Sequence, residues 1–138
     1  MNKEYISKSV TDTQEIASKI ANNLKGGEVI ELIGDVGAGK TTFVLGFAKA
    51  LGSADRVSSP TFKICNAYKV KDLVVYHCDF YRLGDNDALI KNELAEMVGP
   101  DAIVLLEWSE MLNLDLGKTI KIKIDTINDT TRKFEVDY

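Results

Sequence analysis

Apolar residues at Ile16, Ala17, Ile20, Ala21 and Leu24 recur at helical spacing, which predicts an amphipathic helix beginning near Thr11. Thr11-Asp12-Thr13-Gln14 fits a capping box at its start, and Gly26-Gly27 stops the run. Ahead of it, Tyr5-Ile6-Ser7 reads as a short strand or an arm. Glu28 to Ile33 is a strand of moderate alternation. A second helix, Lys40 to Leu51, buries Phe43, Val44, Phe47 and Leu51, and Gly52 ends it. Thr61 to Val70 and Leu73 to Asp79 are β-rich runs around Lys71-Asp72, which predicts a hairpin. A two-residue loop there pairs Val70 with Leu73 and sets Cys65 opposite Cys78, although Lys-Asp is a poor turn dipeptide. A helical patch covers about Asn86 to Val98. Ala102 to Leu106 is uniformly apolar, as a parallel strand buried on both faces must be. In Thr119 to Asp125, Ile120, Ile122 and Ile124 alternate with Lys121 and Lys123, and Arg132 to Val136 can pair with that strand as a final antiparallel edge.

Composition narrows the class. A chain of 138 residues, 45% hydrophobic and 28% charged, reads as one soluble globular domain over residues 1–138 with no room for a second catalytic domain or a large lid. No stretch approaches the roughly 20 apolar residues of a membrane span. Met1-Asn2-Lys3-Glu4-Tyr5 lacks the apolar run of a secretory signal, so a cytoplasmic location is expected. Seventeen basic residues against 21 acidic ones give a net charge of −4. No basic stripe is visible, which argues against strong independent binding of nucleic acid. In a reducing cytosol Cys65 and Cys78 are expected to be free thiols despite their expected register.

One motif carries explicit chemistry. Gly34-Asp35-Val36-Gly37-Ala38-Gly39-Lys40-Thr41 matches G-x-x-x-x-G-K-[ST], the P-loop, in full. Its glycines permit a turn in which the backbone N–H groups of Asp35, Val36, Gly37, Ala38 and Gly39 converge on phosphate oxygens. The helix starting near Lys40 adds its positive dipole end. Lys40 is placed to reach the β- and γ-phosphates, the Thr41 hydroxyl to ligate Mg²⁺, and Thr42 to add a hydroxyl near the α-phosphate. The pattern arises by chance in roughly one chain in two hundred of this length, and the flanking strand and amphipathic helix cut that further. A Gly-rich turn that binds nothing is the plain alternative.

A P-loop also needs an acid at a neighbouring strand end. Glu107 closes the apolar run Ala102 to Leu106, at the rim where ligands of open α/β sheets gather. Asp79 closes Leu73 to Cys78, a second strand end unless that run lies antiparallel to its neighbour. The two acids can divide a metal and a water between them; the alternative for each is a loop cap. Ser58-Ser59-Pro60-Thr61-Phe62 can serve as a nucleotide-sensing switch or as an ordinary turn. His77, the only histidine, sits mid-strand and reads as a half-buried structural residue. Trp108 adjoins Glu107 and stands between core and site. Arg56, Arg82 and Arg132 are the only arginines, and spacing favours none of them.

The P-loop with Thr42-Phe43, Ser59-Pro60-Thr61-Phe62, Tyr76-His77-Cys78-Asp79-Phe80-Tyr81-Arg82-Leu83 and Leu106-Glu107-Trp108 resembles, in order and spacing, the TsaE (formerly YjeE) family over roughly Thr11 to Arg132. That family comprises small bacterial P-loop ATPases required for tRNA threonylcarbamoyladenosine synthesis. Val36 and Cys78 stand where it usually has Leu and Phe. The expected fold is α/β, a P-loop NTPase-like three-layer sandwich with a mixed, mostly parallel central sheet and an antiparallel hairpin. The resemblance implies ATP and Mg²⁺ as cofactors, Lys40 and Thr41 on phosphate and metal, Glu107 on Mg²⁺ directly or through water, and Asp79 in hydrolysis. It also implies that Thr61 lies in a switch-I-like segment, that Trp108 stands near the nucleotide, and that Val10 to Thr13 lie near the base. Arg132 is similar to a C-terminal basic residue of the family. The implied partner is the TsaB–TsaD heterodimer, with ATP hydrolysis resetting that complex between turnovers.

Three other readings compete. A small-molecule kinase needs an acceptor pocket and more basic residues than three arginines supply. A GTPase switch lacks its guanine-reading N/T-K-x-D segment here. A non-hydrolysing nucleotide-binding adaptor differs only in turnover.

Overall fold

The computed structural model describes residues 2–34, 39–52, 65–70, 72–80, 92, 94–108 and 119–138. Its elements are β1 (Asn2–Ser7), α1 (Val10–Ala21), β2 (Val29–Ile33), α2 (Lys40–Ala50), β3 (Cys65–Val70), β4 (Leu73–Asp79), β5 (Ala102–Glu107), β6 (Ile120–Thr126) and β7 (Arg132–Asp137). The strands form one seven-stranded sheet in the order β1-β7-β6-β2-β5-β4-β3. The central pairs β6·β2, β2·β5 and β5·β4 are parallel, while β1·β7, β7·β6 and β4·β3 are antiparallel. The mixed sheet, parallel at its centre, and the β3–β4 hairpin agree with the expected fold class.

Layering follows from strand alternation. Ile30, Leu32, Val75, Ile103, Leu105, Ile122, Ile124, Phe134 and Val136 form one face, packed with Ile16, Ile20, Phe43, Val44 and Phe47 from α1 and α2. On the other face Val29, Cys78, Val104 and Leu106 meet Phe80, Leu94 and Met97, the last two from a helical stretch at 94–97. β5 is buried at every position, as its unbroken apolar run requires. Asn92 and Leu94–Val98 are the described part of the predicted Asn86–Val98 patch, helical at 92 and 94–97; residues 86–91 and 93 lie outside the described residues. Among the described residues, no helix is long and apolar enough to cross a membrane.

The structure moves three local expectations. α1 is capped by Ser9, not by the Thr11 box: the Ser9 hydroxyl accepts from Asp12 N at 3.0 Å, and Asp12 Oδ2 accepts from Lys8 N at 2.9 Å. The cap thus sits two residues earlier, with Asp12 reaching past Ser9 to Lys8 N, and Thr13 is buried with its hydroxyl 2.7 Å from Ser7 Oγ. The helix ends at Ala21, so Leu24 packs on the core from beyond it. β7 is not the edge, because β1 runs the full length Asn2–Ser7 and pairs with it from Asp137 to Arg132. Its sequence gives little apolar alternation, and the backbone ladder rather than side-chain burial supplies the pairing.

Helix–helix contact rests on a close approach at Gly46. A Cβ there would lie 2.7 Å from Gln14 Cα, inside backbone that cannot turn aside. Gly46→Ala gains about 1 kcal/mol of helix propensity but pushes α1 off α2 at a cost of about 1–3 kcal/mol. We expect a lower midpoint in thermal unfolding; a raised one would show that α1 yields freely.

The hairpin register is as predicted, with Val70 opposite Leu73 and Cys65 opposite Cys78, but the thiols are not free. Cys65 and Cys78 are joined by a disulfide across Cα atoms 4.0 Å apart. The register sets the two sulfurs against each other, and that proximity prevails over the argument from compartment. Closing a loop of sequence separation 13 contributes about 3 kcal/mol by restricting the unfolded chain. Reductant is therefore expected to lower the unfolding midpoint by about 10 °C, read by calorimetry with and without dithiothreitol; an unchanged midpoint would mean that the bond adds nothing.

Candidate functional site

The parallel strands end together. β2 runs out at Ile33-Gly34 and α2 begins at Lys40, with Gly39 as its N-cap at φ 100°. Space is not what demands glycine there, since a Cβ would meet nothing within 4 Å; the left-handed backbone is. Asp35, Val36, Gly37 and Ala38 lie outside the described residues, as do Thr61 with the whole Ser58–Phe62 segment, Arg56 and Arg82. β4 is parallel to β5 and antiparallel only to β3, which puts Asp79 at the same rim, directly paired with Glu107. Leu32 pairs with Glu107 on the other side. Lys40 and Glu107 thus meet beside the end of β2, and Asp79 stands at the same rim one strand further out.

Lys40 is held from three sides. Its Nζ donates to the Gly34 carbonyl at 2.8 Å, lies 3.7 Å from Glu107 Oε1 and stands 4.2 Å from the centroid of the Trp108 ring. Lys40 and Glu107 are only 6% and 4% exposed, so this is a desolvated pair whose electrostatics are much stronger than at a surface. The contact at 3.7 Å is an ion pair without a short hydrogen bond; the carbonyl takes that bond. Trp108 reaches the ammonium by an unusual route. It is the one non-glycine with positive φ among the described residues, at 59°. That left-handed turn costs a bulky residue about 1–3 kcal/mol, and it follows immediately on Glu107 at the strand end. The strained backbone sits beside the site, and the Trp108 ring lies against the Lys40 ammonium.

Of the helix residues, Thr41 is exposed and Thr42 half-buried in the first turn of α2. The remaining expected residues lie along the same edge but away from this cluster. Arg132 starts β7 opposite Thr126 and Ser7, two strands over from β2, about 10 Å sideways at ordinary strand spacing, and beyond the Ile33–Lys123 pair along the strand direction. Its Nη1 donates to the carbonyls of Asn128 at 2.7 Å and Thr131 at 3.2 Å, which closes the β6–β7 turn. Val10 is 63% exposed at the start of α1, while Thr13 turns inward to Ser7.

His77 is the residue that sequence reasoning undervalued. It is fully buried rather than half-buried, and its Nε2 is hydrogen-bonded to Glu107 Oε2. Alternation held the signal: period 2 puts His77 and Asp79 on one face of β4, and the β4–β5 register then brings that face beside Glu107. Among the described residues, no group of three or more His, Cys, Asp or Glu is placed to cage a metal ion.

A parallel-centred α/β sheet with a Gly-to-Lys turn at its C-terminal rim and a carboxylate on the adjacent strand defines the P-loop fold class. Comparison with known proteins refines this. Residues 7–134 match the family described as Threonylcarbamoyl adenosine biosynthesis protein TsaE. The chain is 39% identical over 136 residues to the tRNA threonylcarbamoyladenosine biosynthesis protein TsaE of Aquifex aeolicus, covering 97% of this chain and 95% of that one. The Bacillus subtilis protein of the same name is 37% identical over 123 residues, 88% and 77% of the two chains. The crystal structure of Bacillus subtilis YdiB superposes with a TM-score of 0.76 at 31% identity, covering 99% of this chain and 84% of that one. The chain belongs to the TsaE family of tRNA threonylcarbamoyladenosine biosynthesis.

Proposed function

We propose that this protein is a Mg²⁺-dependent ATPase of the cytoplasm that acts on the TsaB–TsaD complex during threonylcarbamoyl modification of the tRNA adenosine 3′ of the anticodon. The observation that carries the reading is the buried ammonium of Lys40, set at the rim of a parallel sheet beside the start of α2 and faced by Glu107. Lys40 reaches the β- and γ-phosphates when it leaves the Gly34 carbonyl, and the amides of Asp35 to Gly39 receive the phosphate oxygens. Thr41 and Glu107 hold the metal shell, and Asp79, one strand further out, orients the attacking water. Hard oxygen donors of this kind suit a cation that keeps most of its water and phosphate ligands. Mg²⁺, when bound, neutralises charge on the transferred phosphoryl group. Trp108 keeps solvent from the ammonium and reports on it. Val10 and Arg132, at the β1–β7 flank of the same edge, serve the base end of the nucleotide, while Thr13, buried against Ser7, braces that flank.

With a net charge of −4, the protein is suited to a protein partner rather than to gripping tRNA by itself. The test is steady-state Mg·ATP hydrolysis by the pure protein, with and without a reconstituted TsaB–TsaD pair. Slow turnover that the pair stimulates is expected. Tight ATP binding with no hydrolysis in either condition would overturn the ATPase and leave an adaptor.

A further inference from the structure

We propose that His77 is the positioning residue of Glu107, holding one carboxylate oxygen so that the other stays turned toward Lys40 and the phosphate site. The inference rests on the nucleotide reading above and adds to it a residue with a defined task. His77 Nε2 meets Glu107 Oε2, while Oε1 of the same carboxylate faces Lys40 Nζ at 3.7 Å. The contact is diagonal across the sheet: His77 is in register with Leu105, and Glu107 with Asp79. The ring therefore reaches one step along the strand to find the carboxylate, where a neighbouring apolar side chain would simply fill the layer.

The other ring nitrogen strengthens the case. Nδ1 is buried with no hydrogen-bond partner among the described residues. With no acceptor at Nδ1, the ring hydrogen belongs on Nε2, where Glu107 accepts it. A histidine kept for packing alone would satisfy both nitrogens or give way to leucine, because an orphaned buried polar atom opposes folding. Among the described residues this ring makes one bond, and it goes to the acid of the site.

The consequence concerns Lys40. A carboxylate free to rotate would close both oxygens on the nearest ammonium and compete with phosphate for it. By retaining Oε2, His77 leaves Lys40 bonded to the Gly34 carbonyl, a partner it can exchange for phosphate. Groups that orient a ligating side chain in this way typically change metal affinity or activity by about 10–100-fold.

Three variants test the assignment. His77→Gln keeps an amide N–H near the position of Nε2, His77→Asn carries one that stops short near Nδ1, and His77→Leu has none. In nucleotide-free protein, the emission of Trp108, the single tryptophan, is expected to shift in the Leu and Asn variants and to stay near wild type in the Gln variant. With Mg·ATP, Leu and Asn are expected to raise the half-activating Mg²⁺ concentration about tenfold, with Gln restoring it. Thermal midpoints separate this from a packing role, and if the Leu variant fails to fold, Gln against Asn carries the comparison. Wild-type emission and Mg²⁺ requirement in a folded Leu or Asn variant would overturn the proposal. Equal impairment of Gln and Asn, tracking lost stability, would overturn it as well. Absence of hydrolysis by wild type would sink the ATPase reading instead, and the emission comparison would still decide on His77.

Discussion

Lys40→Ala is expected to weaken ATP binding about 10- to 100-fold and to lower turnover by a further 100- to 1,000-fold. The binding term is the loss of a charge-assisted hydrogen bond to phosphate, about 1.5–3 kcal/mol. The turnover term is larger because the ammonium is buried and pre-positioned, and such donors act most strongly on charge that develops in the transition state. Its present contacts make the variant informative about stability too. Alanine leaves Glu107 facing His77 alone and strips the cation from the Trp108 ring, so a change in tryptophan emission should accompany the lost affinity. Titration calorimetry with ATP, steady-state hydrolysis and a thermal melt on the same preparation read the three terms separately. Unchanged affinity and turnover would refute the P-loop assignment, whatever happened to the melt.

Much of this arrangement was legible in the sequence because the determinants are local. Uniform apolarity from Ala102 to Leu106 predicts a strand buried on both faces, and a strand so buried must deliver Glu107 to a rim. The two-residue gap between Val70 and Leu73 predicts the pairing of Cys65 with Cys78, even though Lys-Asp is a weak turn sequence, because two flanking β-rich runs outweigh one dipeptide. What depended on order across the sheet was not legible. Nothing in Leu73–Asp79 says whether its free edge meets a parallel or an antiparallel neighbour, and only the β4–β5 register puts His77 and Asp79 beside Glu107. The left-handed backbone of Trp108 is equally hidden, since a bulky residue is the last that local preference would place there. The cap of α1 failed for a different reason: Ser9 and Thr11 are both competent caps with acceptors three residues on, and tertiary packing of Thr13 against Ser7 selects the earlier one.

Glu107 is the residue at which function and stability are hardest to separate, and the structure says which substitution separates them. Glu107→Ala removes the acceptor that serves both His77 and Lys40, leaving a buried imidazole N–H and a buried ammonium short of partners. Each unsatisfied group costs about 1–3 kcal/mol, so the alanine variant is expected to lose stability as well as activity. Glu107→Gln retains the shape, and its amide oxygen can still accept from His77 Nε2. The charge is lost, and the amide nitrogen then faces Lys40 Nζ as donor against donor. We expect Glu107→Gln to melt below wild type but above Glu107→Ala, because it keeps the His77 bond and loses the counter-charge of Lys40, and to hydrolyse Mg·ATP about 100-fold more slowly. That factor corresponds to about 2.7 kcal/mol of transition-state stabilisation, within what a correctly held metal supplies. The comparison of Mg²⁺ titrations for wild type and Glu107→Gln decides the matter. If Gln keeps wild-type turnover and Ala merely melts early, the acid is a structural partner of Lys40 and His77, and the carboxylate that serves the metal must be Asp79, its register partner on β4.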